Sequence, residues 1–192
     1  MNRRWALTLL VAALVIGVIG LLGLWRAKSS PPPLGTANQP GDEATVSGPS
    51  LAATLYFPGG DRLLVPESRE IPLRGSVELQ VRSLVQELLA GPRGDGMAAP
   101  LPAGTQLSGV YLGADRVVYL DLRGEEGAPP PQSGSRQEML RVYSLVNSVA
   151  LNVPGVERVA LLWNGQQLSS WAGHLDLSVP QQPNRNLVAG SP

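Results

Sequence analysis

The 192-residue chain has no cysteine and a single histidine, His174. The first absence excludes disulfide frameworks, Cys-ligated zinc, iron–sulfur clusters, thiol catalysis and a lipid attached through cysteine. The second excludes any site that needs two imidazoles, such as an H-E-x-x-H zinc helix. Aromatic residues make up only 5% of the chain, which leaves few stacking surfaces. Net charge is absent too, with 15 basic residues against 15 acidic ones, but the balance is uneven along the chain. Arg3, Arg4, Arg26 and Lys28 flank one apolar run, so the other 11 basic residues face all 15 acidic ones and the remainder carries about −4. That sign argues against a nucleic-acid partner, whose phosphates require a basic footprint, and against docking on anionic lipid.

What the N-terminus does have is a long hydrophobic run. Trp5 to Trp25 is 21 residues without a charge. At 1.5 Å per residue it spans roughly 31 Å, close to the thickness of a hydrocarbon core. Trp5 and Trp25 stand at its two ends, where interfacial aromatics belong. The run is too long for the apolar region of a cleaved signal, and Leu24-Trp25-Arg26-Ala27-Lys28 offers no A-x-A site. Residues 1–28 are therefore read as an uncleaved signal anchor forming one transmembrane helix. Flanking charges tie, two on each side, but a very short charged N-terminus rarely crosses. The C-terminal body is accordingly expected on the periplasmic side of the inner (plasma) membrane. Ala13 and Gly17 form a small-xxx-small pair that could support pairing of such helices.

Residues 29–50 contain five prolines and few large apolar side chains, the composition of a disordered linker. Residues 181–192 are polar and proline-bounded and read as a flexible tail. Between them, 51–180 carries a regular pattern. Leu51 to Phe57, the turn cluster Pro58-Gly59-Gly60-Asp61 and Leu63 to Val65 read as a hairpin. Ser76 is placed to cap a helix whose apolar face is Val77, Val81, Leu84, Val85 and Leu88, stopped by Gly91-Pro92. Gln106 to Leu112 and Arg116 to Leu122 form a second hairpin around Gly113-Ala114-Asp115. Ser135 and Glu138 have capping-box spacing before a second helix, bearing Met139, Val142, Tyr143, Val146, Val149 and Ala150. Val156 to Trp163, an Asn164-Gly165 type I′ turn and Gln166 to Leu168 complete the order ββα, ββα, ββ. The pattern predicts an α+β two-layer sandwich with a mostly antiparallel sheet and two helices, preceded by the one transmembrane helix.

These segments resemble the GerMN family, named from spore-germination proteins. The resemblance lies in Ala53-Thr54-Leu55-Tyr56-Phe57, Leu64-Val65-Pro66-Glu67-Ser68-Arg69-Glu70-Ile71 and Leu88-Leu89-Ala90-Gly91-Pro92. It continues in Leu101-Pro102-Ala103-Gly104-Thr105, Val118-Tyr119-Leu120-Asp121-Leu122, Pro154-Gly155-Val156-Glu157-Arg158-Val159 and Gly173-His174-Leu175-Asp176-Leu177-Ser178. It implies a non-catalytic, extracytoplasmic module of the bacterial envelope, tied in some members to sporulation complexes and cell-wall remodelling. The implied role is binding or scaffolding, with other envelope proteins or peptidoglycan as partners and no cofactor. Many members are lipoproteins and some carry two copies of the domain, whereas this chain has no cysteine and one copy.

The chemistry-bearing residues are few. His174 and Asp176, two apart on an extended segment, would share a face and could serve proton transfer in an envelope hydrolase, the competing class. Their structural alternative is to satisfy backbone groups where the C-terminal segment closes the domain. Glu67 with Glu70, and Glu125 with Glu126, are the acid pairs a glycosidase would need, though a hairpin arm and a Gly/Pro-rich loop suit solvated charge better. Asp121 interrupts an apolar strand and is expected on its polar face or paired with an arginine. Arg93-Gly94-Asp95 and Gly59-Gly60-Asp61 read as turns, since neither opens a helix as a phosphate cradle must. Trp163 and Trp171 could form an exposed platform for a sugar ring. No metal site is expected.

Overall fold

The computed structural model describes residues 48–113, 115–125 and 128–190. The Trp5–Trp25 run and most of the 29–50 segment lie outside these residues. Among the described residues no helix is long and apolar enough to cross a membrane. The elements are β1 (Ser50–Pro58), β2 (Leu64–Pro72), α1 (Val77–Leu89), β3 (Gln106–Leu112), β4 (Val117–Arg123), α2 (Ser135–Ala150), β5 (Arg158–Trp163) and β6 (Gln166–Gln167), followed by a short 3-10 turn, Arg185–Leu187. The α+β class and the ββα, ββα, ββ order read from the sequence are both present.

β1 and β2 form an antiparallel hairpin in register from Ser50↔Pro72 to Pro58↔Leu64. Gly59 is required at its turn, because a Cβ there would stand 2.7 Å from Val65 Cγ2. β2 runs well beyond the Leu63–Val65 return expected. Its charged stretch hid a strand whose Arg69 is buried across the ring of Phe57, 5.2 Å from the centroid. The Ser76 hydroxyl caps α1 by accepting the Leu79 N–H at 3.3 Å. Val81, Leu84, Val85 and Leu88 are buried as the helical spacing requires.

The single mostly antiparallel sheet that was expected is in fact two sheets: the β1-β2 hairpin, and a four-stranded sheet in the order β3-β4-β5-β6. β4 and β5 are parallel, from Val117↔Arg158 to Leu122↔Trp163, because α2 carries the chain back between them. A bulge between Leu107 and Gly109 adds one residue to β3. Leu107 and Val110, three apart, thereby both reach the core. β4 is covered on both faces, as Val117 and Asp121 are buried along with Val118, Leu120 and Leu122. Asp121 neither faces solvent nor meets an arginine. It accepts the Gly165 N–H at 2.8 Å, bracing the Asn164-Gly165 turn whose φ values of 53° and 77° fit type I′.

α2 packs against β1 of one sheet and β5 of the other. Leu140, Val142, Leu145, Val146 and Val149 pack into apolar core, while a polar line faces β1. Ser148 Oγ accepts the Tyr56 N–H at 3.0 Å, and the Ser144 hydroxyl donates to the Tyr56 carbonyl. At the helix exit, Asn152 accepts the Thr54 N–H at 2.8 Å and donates to the Thr54 carbonyl at 2.7 Å. Residues four apart on one helix face thus supply the donors and acceptors that a further strand would have offered.

The flexible tail read from 181 onward needs correction as far as residue 190. Gln181 and Val159 exchange backbone bonds of 2.8 and 2.9 Å, and Asn147 and Asn184 exchange side-chain-to-backbone bonds of 2.8 and 2.9 Å. Leu187 is buried with Tyr56, Leu64 and Leu140, and the Ala189 N–H donates to the Leu64 carbonyl at 2.8 Å. The segment looked polar because only Leu187 and Val188 meet the core, and two apolar residues leave no periodic signal.

Candidate functional site

His174 meets Glu138 rather than Asp176. Glu138 is fully buried, and its sequence role as the far member of a capping box is not what it does. Gly134 stands at the N-cap of α2 and makes no side-chain cap bond. The Glu138 carboxylate instead turns to the segment 170–174. Its Oε1 accepts the Ser170 hydroxyl at 3.0 Å, the Trp171 N–H at 2.9 Å and the Ala172 N–H at 2.8 Å. Its Oε2 accepts the His174 N–H at 2.9 Å and lies 3.0 Å from His174 Nδ1. Burial pushes this carboxyl's pKa up. The bonds from Ala172, Ser170, His174 and Trp171 outweigh that push and hold the group below its ordinary value. An anion wrapped in backbone N–H groups is thereby made stable in the core.

This arrangement orients the His174 ring and leaves its side chain 44% exposed. Asp176 stays local, accepting the Ser178 hydroxyl at 2.6 Å and the Ser178 N–H at 2.9 Å, which together lower its carboxyl pKa. The Ser170 hydroxyl donates to Glu138 and accepts the Gly173 N–H at 2.7 Å, so it is bonded away from the imidazole.

The other acid pairs separate. Glu67 and Glu70 are three apart on β2, hence on opposite faces. Glu70 accepts the Ser50 hydroxyl at 2.7 Å. Glu67 Oε1 bonds the buried Arg69 at 2.6 Å, and its Oε2 accepts the Arg93 and Gly94 N–H groups at 2.9 and 3.1 Å. Burial raises its pKa, but these partners together set the carboxyl below its ordinary value. Arg69 also reaches the Glu87 and Gly91 carbonyls at 2.8 and 2.6 Å, tying β2 to the end of α1. The Arg93-Gly94-Asp95 turn is therefore pinned from beneath. Glu125 lies in the loop after β4, and Glu126 lies outside the described residues.

Trp163 and Trp171 do come together, with ring centroids 6.1 Å apart and planes tilted by 60°. They are 7% and 3% exposed, so the exposed sugar platform is overturned. The pair is core packing, and the Trp163 indole N–H is spent on the Ala128 carbonyl at 2.8 Å. Among the described residues no group of three or more His, Asp or Glu side chains could hold a metal ion. The surface of the described residues also has hollows. One, of about 380 Å³, lies between the start of β1 and the start of α1, lined by Leu51, Leu73, Arg74, Val77 and Val153. Another, of about 230 Å³, lies beside Trp163, Pro102, Thr105 and Pro129.

Glu138 is the residue that sequence reasoning misplaced, although its signal was present. It falls four residues before Val142 and seven before Leu145, on the buried stripe of α2.

Fold and site together define a small α+β module whose polar side chains mostly hold its own backbone. The model of the Germane family, described as sporulation and spore germination, matches residues 54–169, and the chain belongs to that family. Two solved structures share the fold. A candidate lipoprotein from Clostridium perfringens is 24% identical, with 72% of this chain and 92% of that one covered and a TM-score of 0.50. The tandem GerMN domains of the sporulation protein GerM from Bacillus subtilis are 20% identical, with 70% of this chain covered and a TM-score of 0.53. This chain spans 46% of that tandem structure. No curated protein matches the sequence.

Proposed function

We propose that this protein is a membrane-anchored, extracytoplasmic binding or scaffold module of the bacterial envelope. The anchor is residues 1–28 with Trp5 and Trp25 at the interfaces, and the partner is another envelope protein or peptidoglycan in a wall- or spore-envelope-related assembly. The observation that carries the non-catalytic part is the fate of Glu138, whose two oxygens are occupied by four backbone or hydroxyl donors besides the His174 ring. A carboxylate so committed closes a loop. Support for the envelope setting is the Germane match together with the uncharged 21-residue run ahead of it.

The second reading, a peptidoglycan-directed hydrolase, draws on one feature. A carboxylate on Nδ1 orients the half-exposed imidazole of His174 as it would be oriented in a general base. His174→Ala separates the two. A scaffold keeps its partner, because the His174 backbone bond to Glu138 survives, and the fold loses about 1 kcal/mol. A hydrolase loses turnover of wall fragments altogether. For location, extraction of membranes at alkaline pH should leave the full chain in the pellet. A reporter fused at the C-terminus should be active only outside the cytoplasm. Release of the chain, or a cytoplasmic reporter, contradicts the proposal. Crosslinking in intact cells then identifies the partner.

A further inference from the structure

Among the described residues the long outer strands of this fold are bonded or blunted, with β3 the exception, and the other edge of its sheet is the two-residue β6. The outer edge of β1 is bonded by Ser144, Ser148 and Asn152. The outer edge of β2 carries Pro66 and Pro72, which have no N–H to offer, together with the exposed Glu70. The outer edge of β5 is taken by β6 and by Gln181. β3 has none of these devices. Its sequence, Gln106 to Leu112, contains no charge and no proline.

The alternation on β3 is fixed by the Gly113 N–H, which donates to the Val117 carbonyl at 2.8 Å. In that ladder Gly109 and Tyr111 bond β4, so Val110 and Leu112 direct their N–H and C=O groups away from the sheet. Among the described residues no hydrogen bond reaches them from outside. Beside them, Tyr111 and Leu112 are 57% and 43% exposed, two of the few large apolar side chains on the surface. The Tyr111 ring lies back across Gly109, where a Cβ would stand 2.5 Å from its hydroxyl.

We propose that this edge pairs with the same edge of a second copy, in antiparallel register about a two-fold axis through Tyr111. Val110 of each copy then stands opposite Leu112 of the other, and the two exchange both N–H···O bonds, which uses the groups left open. Tyr111 meets Tyr111 of the other copy in the close, non-hydrogen-bonded position, an aromatic cross-strand pair on the solvent face. The occupant is a copy rather than a different strand because an uncharged strand meets its own duplicate without repulsion. The bulge after Leu107 and the turn at Gly113 also limit the free edge to a short segment that this register fills symmetrically. A ladder of this length buries less than the roughly 1,200 Å² typical of a stable interface. Pairing in dilute solution is thus weak, and confinement of two copies on one membrane raises it. The geometry itself does not rest on the anchor, whose presence membrane extraction reports separately.

The absence of native cysteine makes the test direct. Tyr111→Cys is made in the full-length chain and oxidised mildly in membranes of cells that produce it. Facing Cα atoms about 4.5 Å apart are within disulfide reach. The expected result is a disulfide dimer at least tenfold more abundant than with Leu79→Cys or Val179→Cys, at positions 52% and 56% exposed. Val110→Pro added to Tyr111→Cys removes an outward N–H without removing a β4 ladder bond, and Leu112→Lys sets a charge opposite the apolar Val110 of the other copy and a like charge diagonally across the ladder. Each should return the dimer to the control level; Leu112→Lys should do so with an unchanged melting temperature, whereas Val110→Pro lowers it because Val110 packs in the core. Equal crosslinking at the three cysteine positions shows collision alone and overturns the proposal. So does the absence of a Tyr111→Cys dimer, or a dimer that survives both edge variants.

Discussion

β1 and β3 are both outer strands, and each turns a row of backbone groups away from its own sheet. On β1 the groups of Thr54 and Tyr56 are met by an asparagine and two serines from α2, and the edge disappears into the fold. On β3 the groups of Val110 and Leu112 are met by nothing among the described residues. The difference shows where the sequence invests polarity. Buried polar side chains are expensive unless fully bonded. This protein places Ser144, Ser148 and Asn152 where an edge must be hidden and leaves β3 uncharged.

The contrast can be broken most severely at Glu138, because its bonds hold the segment that leads on to Gln181 and the cover of β5. Glu138→Gln, which turns a donor toward donors, should cost roughly 3–5 kcal/mol in denaturant unfolding. The same site predicts an acid limb. Its folded pKa lies below the unfolded one, so the stabilisation is complete above the ordinary carboxylate range near pH 4.3. It drains away as pH falls below that and through the lowered folded value. Glu138→Gln should flatten that part of the stability–pH curve, and an unchanged acid limb would contradict the assignment. Next in size, Asn152→Ala leaves both backbone groups of Thr54 without their partner and should cost about 2–3 kcal/mol, with faster amide exchange at Thr54. Pro66→Val gives β2 the donor it lacks. Thermal stability should move by no more than about 0.5 kcal/mol, while light scattering on warming rises. The smallest effect on stability belongs to Leu112→Lys, within about 0.5 kcal/mol, although it should abolish association through β3.

Much of this architecture was legible from residue spacing. The Ser76 cap, the buried face of α1 and the Asn164-Gly165 turn follow from local chemistry, and each stands where the sequence placed it. Long-range pairing did not show. Nothing in β4 or β5 alone says that they run parallel, and nothing in the β1-β2 hairpin says that a helix will cover its edge. Charge patterns misled at Arg69 and Glu138, which look like surface residues until their partners, distant in sequence, are seen to bury them. The site reading failed for the same reason. His174 and Asp176 are neighbours in sequence, yet the carboxylate that matters to His174 lies 36 positions away. The tryptophan pair was rightly placed together, but only the fold decides that it faces inward.

Backbone amide exchange tests the central claim most directly, because it reads both edges in one sample. In the dilute full-length chain, the account predicts that Thr54 and Tyr56 exchange only with global unfolding. Val110 and Leu112 should exchange orders of magnitude faster and become protected as the chain is concentrated on a membrane. Protection of Val110 and Leu112 equal to that of Thr54 and Tyr56 at every concentration would contradict it.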